Sequence, residues 1–539
     1  MNFCQPIFDH ARQVPDQTAL IIPRMHGSQL LAEESCRFGE LLERVGRYQD
    51  GLSHAGYQTG DRIIVLLRPC IDLYALTLAL LAAGMVPVFI DSGMPRAVIR
   101  AAIRHAGARA LVSHRALLRW AWWLPELRGL ERLALEGGGL TYGPLSKWRR
   151  RQSAAQLKDL AEDSQGLITF TSGSTGTPKG ANRTHDSLIH QHRAIRAHWP
   201  DQRGDIDMPC FPVLVLHNLC CGMTTVMPRV DLAKPGDAHG DQIVEQIRRH
   251  NVTRLSGAPA FMSRVARAAA QRPECLVSLR DVVIGGATVS ASLQRTLQQA
   301  FARQQVRIVY GSTEAEPIAD ATLEQVMAQD DDRGYLVGKP ASGCELVIVD
   351  DRQPLNSEDD VQRAALPAGR TGEILVRGAH VLKGYVDNPE ADRENKIACA
   401  NGLVWHRTGD TGFLDDQGLL RLEGRVKDRI TVAGESLEIL PLEKQLEQID
   451  GISRAALLAT PAKPNLALVL ETDDDHSAGL AERLADWRRR FPGVSVNLYR
   501  CDRLPVDRRH NSKLDRVTLQ RMLTDGSLKP WRILQARHD

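Results

Sequence analysis

The chain of 539 residues is too long for one hydrophobic core, so we expect at least two or three structural units. Its 43% hydrophobic and 25% charged residues exclude a disordered or fibrous protein. The 68 basic and 65 acidic residues nearly balance, at a formal net charge of +3, so nucleic acid is not expected as a partner.

Short apolar, β-branched segments alternate with helical segments through the first 335 residues. In chain order the clearest segments are RIIVLLRP, a helix at 73–83, VPVFID, VIRAAIRHAG, RALVS, GLITFTSG, TRLSGAPA, LRDVVIGGA and VRIVYGSTE. This alternation predicts an α/β fold of layered, mostly parallel sheets with helices. Several strands end in Gly, Ser, Thr or Glu, and the carboxyl ends of such strands meet at one edge. The pattern therefore predicts one composite cleft.

From about Gly338 the sequence changes to short strands and turns, which predicts a small β-barrel-like unit. After Arg425 a charged helix, two strands and another helix predict a smaller α+β domain of about 110 residues. We therefore predict an N-terminal domain over residues 1–424 and a C-terminal domain over residues 425–539. The predicted subdomains of the first domain are residues 1–160, 161–337 and 338–424.

Two features bear on the location of the protein. The ten cysteines form no CxxC pair and no spacing with histidine that is typical of zinc sites, so we expect mostly reduced, buried thiols. No cationic segment followed by a long apolar run begins the chain, and the cytoplasm is the default location. The longest apolar run, residues 73–90, is interrupted by Gly84 and Pro87. It predicts a buried helix followed by a buried strand, without stable membrane insertion.

The most informative segment is ITFTSGSTGTPKGA, residues 168–181. Its hydroxyl side chains and glycines follow a predicted strand, so backbone N–H and side-chain O–H donors can approach phosphate oxygens closely. Lys179 adds a cation. Pro178 stands where a Walker loop needs its second glycine, and Ser172 stands where a nucleophile elbow needs its first. A flexible linker is the alternative, but Pro-Lys-Gly after a buried strand is poor linker composition.

This segment resembles the phosphate-loop motif of the adenylate-forming superfamily, which includes acyl-CoA synthetases, peptide-synthetase adenylation domains and luciferases. Four further motifs of that superfamily follow in the same order: IGGATV at 284–289, YGSTEAEP at 310–317, HRTGD at 406–410 and GRVKDRI at 424–430. Each motif alone is weak, because a lone Thr-Glu or Gly-Asp is most often a turn or a helix start. Five motifs in order, over nearly the whole chain, identify the sequence as similar to this superfamily.

The resemblance implies ATP and Mg²⁺ as cofactors and implies roles for single residues. Tyr310 would pack on adenine, Thr313 would hold phosphate, and Glu314 would hold Mg²⁺, for which a carboxylate oxygen is suited. Asp410 would accept hydrogen bonds from the ribose hydroxyls. The implied nucleotide-binding residues are Thr171, Ser172, Gly173, Ser174, Thr175, Gly176, Lys179, Gly285, Gly286, Ala287, Tyr310, Gly311, Ser312, Asp410 and Arg425.

The superfamily uses a lysine of its mobile C-terminal domain, and the resemblance assigns that role to Lys513. Attack of a carboxylate on the α-phosphate of ATP brings two anions together, so a cation is needed where charge develops. Lys427 or Asp428 would lie at the pivot between the two domains. The implied catalytic residues are Lys513, Thr313 and Glu314, to which we add His217 as a possible base.

Three departures from the usual motifs narrow the prediction. The chain reads Pro505-Val-Asp-Arg-Arg-His-Asn-Ser-Lys513 instead of P-x-T-x-S-G-K, and this ending resembles that of olefin β-lactone synthetases. Two additional residues separate Gly434 from Pro441, which puts the thioester-forming step of acyl-CoA ligases in doubt. His217 lies two positions after the usual histidine and could be a base for a substrate hydroxyl, or a core or pocket-lining histidine.

Together these features predict ATP-dependent adenylation of an aliphatic carboxylic acid, a long-chain 2-alkyl-3-hydroxy acid, followed by closure to a β-lactone. The alternatives are an acyl-CoA or acyl-carrier-protein ligase and a non-catalytic nucleotide-binding scaffold. The expected partners are the small-molecule acid and other enzymes of the same lipid pathway. The Trp-rich stretch 119–130 could contact a membrane surface or a partner enzyme, with buried packing as the alternative.

Overall fold

The fold is taken from a computed structural model of the chain. The structure describes all residues except 27–28, 92, 121–122, 137–142, 151–152, 172–177, 330–332, 433–434, 461–465, 473–479, 490–493, 508–512 and 532–539.

The α-helices of the described residues follow one another throughout the chain. In order they are α1 Gln5–Gln13, α2 Phe38–His54, α3 Ile71–Ala82, α4 Arg96–His105, α5 Arg115–Trp120, α6 His185–His198, α7 Leu214–Cys221, α8 Gly240–His250, α9 Pro259–Gln271, α10 Ala291–Ala300, α11 Leu323–Ala328, α12 Glu358–Ala364, α13 Pro389–Asn395, α14 Ile439–Glu447, α15 Leu480–Arg488 and α16 Arg516–Thr524.

The β-strands alternate with these helices in the first half of the chain and become denser after it. In order they are β1 Thr18–His26, β2 Gln29–Arg37, β3 Arg62–Leu66, β4 Val86–Ile90, β5 Ala110–Ser113, β6 Glu131–Ala134, β7 Gly143–Pro144, β8 Gln165–Thr171, β9 Lys179–Thr184, β10 Ile206–Pro209, β11 Thr224–Val226, β12 Arg254–Gly257, β13 Asp281–Gly285, β14 Gln305–Tyr310, β15 Ala319–Thr322, β16 Tyr335–Pro340, β17 Glu345–Val349, β18 Gly372–Arg377, β19 Lys396–Ala398, β20 Val404–Leu414, β21 Leu420–Arg425, β22 Ile430–Val432, β23 Glu435–Leu437, β24 Arg454–Ala459, β25 Leu466–Glu471, β26 Val496–Cys501 and β27 Lys529–Pro530.

The first sheet has seven strands in the order β7-β6-β5-β3-β4-β8-β9. Every neighbouring pair is parallel except β8 and β9, which form an antiparallel pair. The register of that pair sets Thr171, the last residue of β8, opposite Lys179. The segment that resembles a phosphate loop therefore leaves the carboxyl end of a strand inside an α/β sheet.

The second sheet has 14 strands, with β19 beside β20 and the remaining order β17-β18-β20-β21-β16-β15-β14-β13-β12-β10-β11-β1-β2. Strands β12, β13 and β14 are parallel, whereas β14 to β16 are antiparallel. The short strands after Gly338 thus continue this sheet instead of standing apart from it. The α/β class predicted from the sequence is confirmed.

The C-terminal part contains the β22–β23 pair and a sheet in the order β24-β25-β26-β27, together with helices α14 to α16. Its apolar core includes Leu446, Leu457, Leu468 and Trp487 and is separate from the cores of the two larger sheets. The predicted boundary at residue 425 coincides with the last residue of β21 and stays a prediction about domain division.

Helix α3 shows why the longest apolar run is buried. Every residue of α3 except Asp72 is buried, because the helix is apolar on all sides and packs inside the largest core cluster. Strand β4 follows at once, so the predicted pair of a buried helix and a buried strand is confirmed. Among the described helices, none is both long enough and apolar enough to cross a membrane.

Two smaller predictions have opposite outcomes. All ten cysteines are described and carry free thiols, most of them buried, as predicted. In the Trp-rich stretch, Leu127 is buried but Trp123 is 75% exposed, so buried packing is wrong for Trp123. Ala121 and Trp122 lie outside the described residues.

Candidate active site

Backbone hydrogen bonds of residues 382–386 join the two large sheets. The N–H of Val386 donates to the carbonyl oxygen of Gly180 on β9 at 2.8 Å. At the other end, the N–H of Leu382 donates to the carbonyl oxygen of Glu314, after β14, at 2.8 Å. The segment therefore holds the YGSTEAEP motif against the strand that follows the phosphate loop, and the candidate cleft lies at this junction.

A tight turn fixes Glu314 within that motif. The Ser312 hydroxyl accepts hydrogen bonds from the N–H groups of Glu314 and Ala315, each at 3.2 Å. A Cβ atom on Gly311 would lie 3.2 Å from the Ala315 carbonyl oxygen, so a side chain would crowd this turn and glycine fits it best. The Thr313 carbonyl accepts from the Arg183 guanidinium at 2.6 Å. The turn is therefore anchored on both sides.

We call the surroundings of Glu314 the phosphate end: Lys179, Glu314, Tyr385, Lys396 and His406. The Tyr385 hydroxyl donates to Glu314 Oε1 at 3.0 Å. The ammonium nitrogens of Lys179 and Lys396 lie 5.5 Å and 5.6 Å from the centre of the Tyr385 ring. One aromatic ring thus contacts both cations, a favourable arrangement, while its hydroxyl holds the carboxylate.

Burial shifts the pKa values at the phosphate end. It lowers the pKa of Lys396 to about 7 and that of His406 to about 3, because a charged form is poorly solvated there. Burial raises the pKa of Glu314. The neighbouring His406 and Lys396 lower it by more, so the pKa of Glu314 lies below its usual value. Glu314 is therefore ionised at neutral pH and can hold a divalent cation.

We call Tyr310, Asp410 and Arg425 the nucleotide end. The Tyr310 hydroxyl donates to Asp410 Oδ2 at 2.8 Å, and Arg425 Nε lies 2.9 Å from Asp410 Oδ1. The pairing of β20 with β21 sets Asp410 directly opposite Arg425. A carboxylate has about four acceptor positions, so Asp410 can still accept from the two hydroxyls of a ribose.

The glycines of the IGGATV motif lie at the carboxyl end of β13, beside β14. A Cβ atom on Gly285 would lie 3.1 Å from the Val309 carbonyl oxygen. Gly286 has a φ of +88°, which favours glycine over residues with a side chain. Gly285 pairs with Val309, the residue before Tyr310, and with Gly286 and Ala287 it is half-buried. Binding of adenine there stays a prediction.

Several predicted residues are not placed in the cleft. Residues 172–176 lie outside the described residues, and of Thr171 only the backbone is described. Lys513 is exposed, its N–H donates to Asp507 Oδ1 at 2.8 Å, and its approach to the cleft stays a prediction. Lys427, expected at the pivot, lies in a single turn of 3₁₀ helix after β21, where burial and Arg425 lower its pKa.

His217 lies on α7, where its Nδ1 is 3.0 Å from Nδ1 of His192 and its Nε2 is 3.6 Å from Sγ of Cys221. Both ring nitrogens therefore face protein partners. The role of His217 as a base stays a prediction.

The sequence analysis did not single out Tyr385, Lys396 or Arg183. Tyr385 and Lys396 belong to the polar stretch GYVDNPEADRENKI, where a tyrosine and a lysine are unremarkable. Arg183 follows the phosphate loop but matches no position of its motif. Three sets of contacts reveal them: those of residues 382–386 with both sheets, that of Lys396 with the Tyr385 ring, and that of Arg183 with Thr313. No local sequence pattern reports these contacts.

The model of the AMP-binding enzyme family matches residues 7–386. The chain belongs to this family. It is 30% identical over 543 residues to an olefin β-lactone synthetase of Stenotrophomonas maltophilia, with 96% of this chain and 97% of that protein covered. The family is therefore established over most of the chain, and the protein is an adenylate-forming enzyme of the ATP-using class.

The relatives of this chain differ in their activities. An acyl-CoA ligase of Ajellomyces capsulatus is 27% identical over 515 residues, with 87% of this chain and 83% of that protein covered. The structure of o-succinylbenzoate coenzyme A synthetase from Bacillus subtilis, in complex with ATP and a magnesium ion, matches with a TM-score of 0.74. It is 21% identical, with 96% of this chain and 99% of that chain covered, and at this identity it shows the fold alone.

Proposed function

We propose that the protein uses ATP to adenylate a long-chain 2-alkyl-3-hydroxy carboxylic acid and then closes the acyl-adenylate to a β-lactone. The observation that carries the first step is the phosphate end, where the half-buried, ionised Glu314 lies among Lys179, Lys396 and the Tyr385 hydroxyl. The observation that favours the second step is the likeness to an olefin β-lactone synthetase along nearly the whole chain. Enzymes that supply the hydroxy acid or consume the lactone are the proposed partners.

The two ends of the cleft would bind different parts of ATP. Asp410 would hold the ribose, since its carboxylate is fixed by Tyr310 and Arg425 and retains free acceptor positions. The backbone around Gly286 would receive the adenine ring. This anchoring directs the triphosphate towards Lys179 and Glu314, because the YGSTEAEP turn follows Tyr310 directly.

The phosphate end would lower the repulsion between the two reacting anions. Glu314 fits a magnesium ion, because it is a hard carboxylate ligand that is ionised at neutral pH. When bound, such an ion neutralises charge on the phosphate oxygens. Lys179 would contact phosphate directly, and Lys513 would come to the acyl carboxylate as the attack develops. Lys179 is 8% exposed, and such burial strengthens its electrostatic effect.

Closure of the acyl-adenylate to the lactone needs no further reagent. The 3-hydroxyl oxygen forms a bond to the acyl carbon, the bond from that carbon to the AMP oxygen breaks, and the hydroxyl proton leaves to a base or to water. AMP departs with the electron pair. Because the nucleophile belongs to the same molecule, its effective concentration is high and no thiol acceptor is needed.

Thioester formation with CoA or an acyl-carrier protein is the second candidate. The acyl-CoA ligases among the relatives favour it. The segment after the hinge disfavours it, because Pro441 lies within α14, two residues after its start at Ile439, and not directly after the preceding strand. Glu438, just before this helix, accepts from the Thr411 hydroxyl at 2.6 Å and so ties the segment to β20.

The test compares two acids in the presence and absence of CoA. The enzyme is incubated with ATP, MgCl₂ and either a 2-alkyl-3-hydroxy acid or the matching acid without the 3-hydroxyl, and products are followed by mass spectrometry. We expect a product one water lighter than the hydroxy acid, with AMP and pyrophosphate, independently of CoA. The acid without the hydroxyl should give acyl-AMP and no lactone.

Two results would overturn parts of the proposal. Thioester formation with CoA-dependent release of AMP would replace lactone closure by the second candidate. If no acid in a panel supports exchange between pyrophosphate and ATP, the proposed adenylation is wrong. This result would favour a nucleotide-binding scaffold.

A further inference from the structure

Helices α6 and α7 bring together three metal-ligating side chains that belong to neither the phosphate end nor the nucleotide end. His192 of α6 and His217 and Cys221 of α7 each offer one ligand atom, and these atoms lie within 4.8 Å of one another. We call this group the His–His–Cys cluster. We propose that the cluster is a binding site for Zn²⁺, with three ligands from the protein and one position for water or a carboxylate.

The helices preorganise the three side chains. His217 and Cys221 are four residues apart on α7, so they lie on the same face, one turn from each other. His192 reaches this face from α6, and the two imidazole centres are 4.9 Å apart. Gly222, with a φ of +70°, ends α7 directly after Cys221. Two ligands thus share one rigid helix, and the third comes from its neighbour.

The distances are near those of a tetrahedral ion. Ligand bonds of about 2.0 Å to nitrogen and 2.3 Å to sulfur place neighbouring ligand atoms roughly 3.3 to 3.6 Å apart. One ligand atom from each residue of the cluster lies within 4.8 Å of the other two. His217 faces His192 with Nδ1 at 3.0 Å and Cys221 with Nε2 at 3.6 Å, so binding of one ion requires the His217 ring to rotate and the three ligands to move closer together. Two imidazoles and a thiolate form a ligand set typical of zinc.

Asp201 is an acidic neighbour of the cluster. Its carboxylate interacts with the Cys221 thiol and is held by the Arg196 guanidinium at 2.6 Å and 3.2 Å. Zn²⁺ would replace the thiol proton, which is released to solvent, and the thiolate would offset one of the two charges of the ion. Asp201 is therefore a candidate for the fourth position or for a hydrogen-bonded partner of the bound water.

The cluster lies on a different side of α6 from the contacts of His198 with the second sheet. His198 of α6 bonds Asp320 at 2.8 Å and accepts from the Ser342 N–H at 2.7 Å. His192 is six residues earlier, which is about 120° around the helix axis. Helix α6 follows β9 of the first sheet, and α7 lies between β10 and β11 of the second. A bound ion would thus link two helices that follow strands of different sheets, and His217 as a metal ligand would not act as a base.

The experiment uses the full chain after removal of metal by a chelator. Co²⁺ is titrated first, because a bond from cobalt to a thiolate produces a charge-transfer absorption that imidazole and carboxylate ligands do not, and Zn²⁺ is then added in competition. The test variants are Cys221→Ser and His192→Gln. The matched controls are Cys70→Ser, another partly buried cysteine, and His190→Gln on the same helix.

We expect one equivalent of Co²⁺ with the thiolate absorption, its displacement by Zn²⁺, and a higher midpoint of thermal unfolding with Zn²⁺. Loss of a residue that hydrogen-bonds a metal ligand weakens metal binding by about 10- to 100-fold. Loss of a ligand itself should weaken binding by more than this. Cys221→Ser should abolish the thiolate absorption, and both controls should keep it.

The wild-type titration decides the matter even if a variant fails to fold. Absence of the thiolate absorption in the wild-type protein would overturn the proposal, as would several weak equivalents without it. Unchanged affinity in a folded His192→Gln protein would remove His192 from the site. Adenylation activity is not the readout, so failure here leaves the proposed function intact.

Discussion

The two ends of the cleft each contain one largely enclosed acid, but the groups that neighbour the two carboxylates differ. At the nucleotide end, Asp410 is paired with Arg425 at 2.9 Å and accepts from Tyr310 at 2.8 Å. At the phosphate end, Glu314 has a hydroxyl donor at 3.0 Å, and the lysine ammonium groups contact the Tyr385 ring. Asp410 is thus neutralised within the protein, whereas Glu314 retains charge for a ligand.

This difference separates binding from catalysis. A neutralised, hydrogen-bonded acceptor recognises hydroxyl groups equally in the ground state and the transition state, so it affects affinity. An ionised carboxylate beside cations organises charge that changes during the reaction, so it affects the rate. Substitutions at the two ends should therefore change different kinetic constants.

The largest effect is expected from Lys513→Ala, because the phosphate end is proposed to receive this ammonium group in the transition state. The rate of acyl-AMP formation should fall by about 10³-fold, while ATP affinity stays within about threefold. Acid-dependent exchange of pyrophosphate into ATP measures the first quantity, and equilibrium dialysis measures the second. Lys529→Ala, an exposed lysine of the same C-terminal part, is the control. Normal exchange in Lys513→Ala would refute the assigned role.

Glu314→Gln should lower kcat for adenylation by about 10²-fold and raise the concentration of Mg²⁺ needed for half-maximal rate. The amide keeps the size of the side chain and its oxygen acceptor for Tyr385 but loses the charge. A Mg²⁺ titration of the exchange rate checks both effects, with Glu324→Gln as control. An unchanged Mg²⁺ dependence would show that Glu314 does not hold the ion.

Asp410→Asn should raise the KM for ATP by about 10-fold with little change in kcat, near the lower value for a hydrogen bond to a charged group. The effect is limited because asparagine keeps one oxygen acceptor. Asp416→Asn, on the exposed turn after β20, is the control. If kcat fell as much as affinity, the functional difference between the two ends would be wrong.

The last prediction concerns stability and its dependence on pH instead of a rate or an affinity. The pKa of Lys396 is about 7 in the folded protein, against about 10.4 for an unperturbed lysine. Between these values the unfolded chain binds the proton and the folded chain does not, so this group makes stability rise with pH from about 7 to about 10.4. Below pH 7 both states are protonated and the cost of the buried charge is complete.

Lys396→Met should therefore flatten this rise and stabilise the metal-free protein most below pH 7. Denaturant unfolding between pH 6 and 10, without nucleotide or Mg²⁺, measures the difference, with the exposed Lys383→Met as control. A variant whose stability followed the wild-type pH profile would contradict the burial of an uncharged Lys396.

The residues of the nucleotide end could be predicted from the sequence, whereas part of the phosphate end could not. Tyr310, Asp410 and Arg425 each belong to a motif with a fixed spacing, and the structure brings the three together across 100 residues and more. Tyr385 and Lys396 belong to no such motif, and the hydrogen bond of Tyr385 to Glu314 depends on how residues 382–386 cross between two sheets. Motifs report local geometry around a ligand, but they do not report which distant segment closes the site.

The His–His–Cys cluster shows the same limit. Cysteine and histidine spacings along the chain indicated no zinc site, because His192 comes from a different helix, 25 residues before His217. The sequence by itself determined the α/β class, the buried α3–β4 pair and the family, since these follow from apolar periodicity and from the order of five motifs. Only the tertiary structure decided which charges surround Glu314 and which side chains meet between α6 and α7. The reason is physical: periodicity selects helices and strands locally, whereas contacts between distant residues depend on strand order and on the packing of whole elements.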